Sequence, residues 1–195
     1  MSFLLFVHNN RLNPSRRAFL GDSGLLLSAS AVALLAGCET LDAGQKKSGG
    51  SGANDITILN TALGAEREAV AAYQLGADSG LLEPGVKAVA LKFQGHHKAH
   101  ADLIAATVSK LGGRPPEPKS SYDFPVDKLK NQTDVLRFAA QLEQGAVSAY
   151  LGAVPLFDNR DLSRAAASIL GDEAMHWAVL RGVLGEDPVP AAFVG

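Results

Sequence analysis

The segment GDEAMHW, residues 171–177, places Glu173 and His176 three apart. On a helix that spacing puts both side chains on one face, within reach of a common point. A carboxylate and an imidazole converging there make a metal-ligand pair that suits iron, manganese or zinc better than calcium or magnesium. A second pair at the same spacing, His97 and His100, closes the segment GHHKAH, residues 95–100. Two more glutamates, Glu66 and Glu143, open the segments EREAVAAY and EQGAVSAY.

Bulk composition says which elements must position these groups. The 195-residue chain is 47% hydrophobic but only 6% aromatic. Abundant Ala and Leu with few β-branched runs favour packed helices over sheets. A net charge of -2 provides no basic footprint for nucleic acid. The single cysteine, Cys38, cannot form a disulfide within one chain.

Ile56, Leu59, Ala62, Leu63, Glu66, Val70 and Tyr73 fall near one helical face and predict a first helix over 55–77. SGLLEPG interrupts it, and Pro84 suits the first turn of a second helix over 84–111, which stops at Gly112 and Gly113. A long connection with four prolines, RPPEPKSSYDFPVDKLKNQ, follows. Asp134 opens a third helix over 134–157, with Pro155 in its last turn, and a fourth runs over 161–184. Short first and third connections make antiparallel hairpins, and the long middle one lets the third helix start at the end where the second starts.

The two hairpins read as duplicates. EREAVAAY and EQGAVSAY share Glu, Ala, Val, Ala and Tyr in register, and GHHKAH aligns with GDEAMH at nearly the same offset. Glu66 therefore corresponds to Glu143, His97 to Glu173 and His100 to His176. The expected fold is an all-α four-helix bundle of two duplicated helical hairpins joined by a long crossover.

One glutamate from each of two helices, with an i, i+3 pair from each of the other two, resembles the ferritin-like carboxylate proteins. The resemblance covers nearly all of residues 55–185 and implies a ferritin-like bundle over 55–195. It implies a metal site of Glu66, His97, His100, Glu143, Glu173 and His176, holding one or two ions of iron or manganese. Ionisable groups facing a bundle core are costly unless paired, and a divalent ion offsets that cost. The chain departs from the pattern at His97, where a glutamate is expected. A neutral imidazole does not bridge two ions as a carboxylate does, and the set carries -3 rather than -4. Glu143, Glu173 and His176 are thus expected to hold a first ion tightly, and Glu66, His97 and His100 a second weakly.

Tyr73 and Tyr150 lie two turns past Glu66 and Glu143 and are expected either to donate hydrogen bonds to the ligands or simply to pack the core. Gln94, one turn before His97, is placed beside the site without adding charge. His96 and Glu68 point away from it by helical geometry and are expected on the solvated surface. For an enzyme, the resemblance implies metal-dependent oxidase, peroxidase or catalase-like chemistry, with no catalytic residue assigned. The alternative is a binding or structural module that kept the bundle and holds no metal. A homo-oligomer is compatible with either; a closed storage cage fits poorly with the lipid anchor described next.

The N-terminal residues read as an address. SRRAFLGDSGLLLSASAVALLAGC, from Ser15 to Cys38, resembles a twin-arginine export signal with Arg16 and Arg17 ending in a lipoprotein lipobox. It implies recognition by the twin-arginine export machinery, removal of residues 1–37, and lipidation of Cys38. The Gly/Ser-rich stretch that follows is expected to be a flexible tether over 38–54, holding the domain at the periplasmic face of a membrane. Cys38→Ala should leave the protein soluble in the periplasm or uncleaved. Cell fractionation with acyl-chain analysis checks this; a soluble wild type without an acyl chain would refute the anchor.

Overall fold

The computed structural model describes residues 51–194. Arg16, Arg17 and Cys38, and with them the expected signal and anchor, lie outside the described residues. Among the described residues are four α-helices and no strand. They are α1 Ser51–Asp78, α2 Pro84–Lys110, α3 Gln132–Ala153 and α4 Arg160–Val183, with 3₁₀ turns at Val126–Lys128 and Val154–Leu156. None of these helices is long and apolar enough to cross a membrane.

Helix boundaries follow the capping chemistry. α1 begins before the expected Asp55, so residues 51–54 are helical rather than tether, and Asn54 Nδ2 donates to the Leu156 carbonyl at 3.0 Å. α3 starts at Gln132 because Asn131 is the cap. Its side chain accepts from Asp134 N at 3.0 Å, while Asp134 Oδ2 accepts from Lys130 N at 3.0 Å, a reciprocal arrangement. Asn159 caps α4 by accepting from Asp161 N at 2.8 Å. Beyond α2, Gly112 takes φ +81° and turns the chain. Gly113 then passes so close to α1 that a Cβ there would stand 2.8 Å from Ile56 Cγ2.

α1 packs along α2 and α3 along α4. The starts of α2 and α3 meet, since Glu83 N donates to Gln132 Oε1 at 2.8 Å. The connection between Lys110 and Gln132 therefore returns along the bundle, as its length predicts. It is held to α1 where Asn60 Nδ2 donates to the Arg114 carbonyl at 3.4 Å and Arg67 donates to the Pro116 carbonyl.

The core has two apolar layers. One joins Leu59, Leu63, Ile104, Val108, Tyr150 and Ile169; the other joins Tyr73, Phe93, Leu136, Ala140 and Leu180. Along α3 the inward stripe is Leu136, Ala140, Glu143, Val147, Tyr150, and along α4 it is Ala166, Ile169, Glu173, His176, Leu180. Both step by three or four residues, the period of a buried helical face. Charged groups thus occupy core positions between two apolar layers.

Asp55 ties the start of α1 to the start of α4. It is buried and accepts from Asp158 N at 2.8 Å and Asn159 N at 3.2 Å. A carboxylate there also faces the positive end of the α4 dipole. Asp55→Ala should cost about 1–2 kcal/mol, because it orphans backbone donors at a helix start. Urea unfolding measures it, and an unchanged midpoint would show that water replaces the contact.

Candidate metal centre

Glu66, His97, Glu143, Glu173 and His176 are all buried in the middle layer, and His100 is 15% exposed at its edge. Glu66 comes from α1, His97 and His100 from α2, Glu143 from α3, and Glu173 and His176 from α4. Their donor atoms form two overlapping groups. Glu66, His97, His100 and Glu173 make one; His97, Glu143, Glu173 and His176 make the other. Within each, one atom per residue lies within 4.8 Å of all the others.

Glu173 is one of two shared members. It is 0% exposed. Its Oε1 lies 3.1 Å from His100 Nδ1, and its Oε2 lies 3.4 Å from His176 Nδ1. His97 is also shared, with Nδ1 2.9 Å from Glu66 Oε2 and Nε2 3.2 Å from Glu143 Oε1. The expected division into two triads appears here as two groups of four. With Glu173 between them, each group contains two carboxylates.

Several of these atoms have no aligned hydrogen-bond partner: both oxygens of Glu173, Glu143 Oε2, His100 Nδ1 and His176 Nδ1. Buried polar atoms are seldom left so. They are carboxylate oxygens and imidazole nitrogens aimed into one shared space, the donor set of a transition-metal site. The residues present therefore fit a metal.

The tyrosines brace the glutamates crosswise. Tyr73 on α1 donates to Glu143 Oε1 on α3, and Tyr150 on α3 donates to Glu66 Oε1 on α1. The partner in each case is the glutamate of the other hairpin. Burial first, then the charge of the bonded glutamate, pushes both phenols well above 10, so they remain donors.

Gln94 does not sit beside the site as expected. Its amide turns to the α1 seam. There Nε2 donates to the Val70 carbonyl at 3.0 Å and to Gln74 Oε1 at 2.9 Å. His96 is not simply solvated surface either. Its Nδ1 lies 3.0 Å from Asp172 Oδ2 and 2.9 Å from His176 Nε2, so the ring on α2 meets side chains of α4. Glu68 joins none of these groups.

Asp172 is the residue that sequence reasoning passed over. Its Oδ2 also lies 3.3 Å from His176 Nε2 and 3.4 Å from His100 Nε2. A carboxylate behind an imidazole fixes which ring nitrogen carries the proton. Here one carboxylate reaches two such rings and brings the local carboxylate count back to four. The available signal was the repeat itself, which sets His96 opposite Asp172.

Electrostatics in the metal-free protein follow from this packing. Burial alone would lower His97, but hydrogen bonds from it to Glu143 and Glu66 prevail and raise it to about 10. Burial is likewise overcome at His100 by Glu173 and Glu66, and at His176 by Glu143 and Glu173; both reach about 9. Burial would raise Glu143, yet the nearby imidazoles of His176 and His97 hold it down at about 2. Glu66 is also lowered, its burial offset by His100 and His97.

At neutral pH these imidazoles hold protons that a metal ion must displace. Metal uptake should release protons, and affinity should rise with pH toward about 9. Calorimetry in buffers of differing ionisation enthalpy checks this, and buffer-independent heats would contradict it. The raised histidines stabilise the metal-free fold fully below their unfolded value of about 6.5. That contribution is lost as pH rises through about 9 to 10. Alkaline melting of metal-free protein should show the loss.

The ferritin-like domain family matches residues 54–186. A conserved hypothetical protein from Mycobacterium tuberculosis has a crystal structure similar to this one, with a TM-score of 0.64 and 25% identity, covering 74% of this chain and 99% of that one. A ferritin-like, diiron-carboxylate protein from Bacillus anthracis shares the fold at a TM-score of 0.57 and 21% identity, covering 70% of this chain and 99% of that one. No curated protein matches the chain. Because the family match runs from the first turn of α1 to just past α4, the chain belongs to the ferritin-like domain family.

Proposed function

We propose that this is an exported, membrane-tethered ferritin-like metalloprotein holding two ions of iron or manganese, with oxidase, peroxidase or catalase-like activity. The observation that carries the metal reading is Glu173: wholly buried, both oxygens without hydrogen bonds, one facing His100 and the other His176. The description of the Bacillus anthracis relative as a diiron-carboxylate protein supports the same reading. The twin-arginine motif supports export, and that route carries folded proteins, so metal can be loaded beforehand.

Glu66, His97 and His100 would hold one ion and Glu143 and His176 the other, with Glu173 available to both. When bound, iron or manganese supplies one-electron chemistry toward dioxygen or hydrogen peroxide. The chain's own residues do the rest. Tyr73 and Tyr150 each donate a hydrogen bond to a glutamate oxygen and hold that carboxylate in place. Asp172 orients His100 and His176 from behind. The two apolar layers exclude bulk water, which strengthens charge interactions between them. An apolar cavity of about 270 Å³, lined by Val86, Val135, Leu136 and Leu180, meets the centre at Tyr73. Such a lining suits a small uncharged oxidant better than an ion.

A second reading has its own support. His97 bonds both Glu66 and Glu143, and three protonated imidazoles against three glutamates balance charge without metal. In that case the layer is a polar core in a binding or structural module. Titration of metal-free protein with ferrous or manganous ion separates the two. Wild type should bind about two equivalents, and Glu173→Ala should weaken binding by more than about 100-fold, beyond the usual effect of groups behind the ligands. His97→Glu, which adds a carboxylate, should tighten the weaker step. If wild type binds nothing and His97→Glu gains nothing, the structural module is correct.

A further inference from the structure

We propose that His96, Asp172 and His176 form a second, solvent-open site for a first-row divalent metal ion, sharing His176 with the inner centre. His96 Nδ1, Asp172 Oδ2 and His176 Nε2 stand 2.9, 3.0 and 3.3 Å from one another. Ligands bonded to one ion at about 2.0–2.1 Å are separated by about 2.9 Å at right angles and about 3.3 Å at tetrahedral angles. The spacing therefore matches one face of a coordination polyhedron. Two imidazoles and a carboxylate on one face, with the other positions open, suit iron and its neighbours.

The surroundings favour a built site. The His96 side chain is 37% exposed and that of Asp172 is 21% exposed, so water reaches the open positions. His176 is only 2% exposed, and Phe93 stacks on it at 4.1 Å, which fixes the ring. His100 Nε2 is the further polar neighbour, 3.4 Å from the same Asp172 oxygen.

His176 connects this site to the inner one. A neutral imidazole has one lone pair. With the lone pair on Nε2 the ring serves the outer ion, and its Nδ1–H points at Glu143. With the lone pair on Nδ1 it serves the centre, and its Nε2–H points at Asp172. The two uses of His176 exclude each other, so the outer site is a landing station from which an ion passes inward as the ring changes tautomer.

The test is anomalous diffraction from metal-free crystals exposed briefly to manganese or zinc, for wild type and His96→Ala. Wild type should show a peak between His96, Asp172 and His176. His96→Ala, which alters no residue of the inner groups, should lose that peak and keep the inner ones. In solution, manganese uptake into the centre of His96→Ala should be at least about 10-fold slower, with unchanged final stoichiometry. Inner peaks alone in wild type would overturn this proposal and leave the metal centre standing. An outer peak alone would support this site while sinking the dinuclear centre. An outer peak that survives in His96→Ala would show that His96 is no ligand, and would overturn the site as described.

Discussion

Everything in this bundle is arranged around one buried carboxylate, Glu173, with an imidazole on either side and apolar layers above and below. An uncompensated charge in such a place is prohibitive. The fold has therefore to supply positive charge to the layer, whether as protons on His97, His100 and His176 or as metal ions. Both solutions use the same donor atoms. That is why the three histidines hold their protons so firmly when no metal competes, and why proton release and metal uptake are two sides of one equilibrium.

Duplication explains how the layer is kept from collapsing. Each hairpin contributes a glutamate and, two turns on, a tyrosine. In an antiparallel pair such as α1 and α3 a tyrosine is carried toward the partner helix's glutamate instead of its own. Tyr73 and Tyr150 therefore lock the two hairpins to each other through Glu143 and Glu66. Each tyrosine also belongs to one apolar layer, so the hydroxyl is the point where core packing grips the charged layer. The duplication is imperfect at His97 and Glu173, and at His96 and Asp172. These unlike pairs turn a symmetric scaffold into one with an inner face rich in carboxylate and an outer face with histidine and aspartate in contact.

The sequence by itself determined the helices, their order and the residues of the middle layer. Helical phase is a local property, so Glu66, Glu143, Glu173 and His176 could be set on the buried stripes by counting in threes and fours. The long proline-rich connection was enough to predict that α3 starts beside the start of α2, since its length permits a return along the bundle.

What only the tertiary structure decided lies at the seams between helices. The contact of His96 with Asp172 and His176 depends on how closely α2 and α4 approach, a distance absent from either helix's own periodicity. The turn of Gln94 toward α1 and the crossed pairing of tyrosines with glutamates depend on the relative height and rotation of neighbouring helices. The shared position of Glu173 has the same origin. Counting along α4 places its carboxylate on the inward face, but only the packing of four helices puts its two oxygens toward histidines on different helices, because that requires the heights of α2 and α4 to coincide at this one layer.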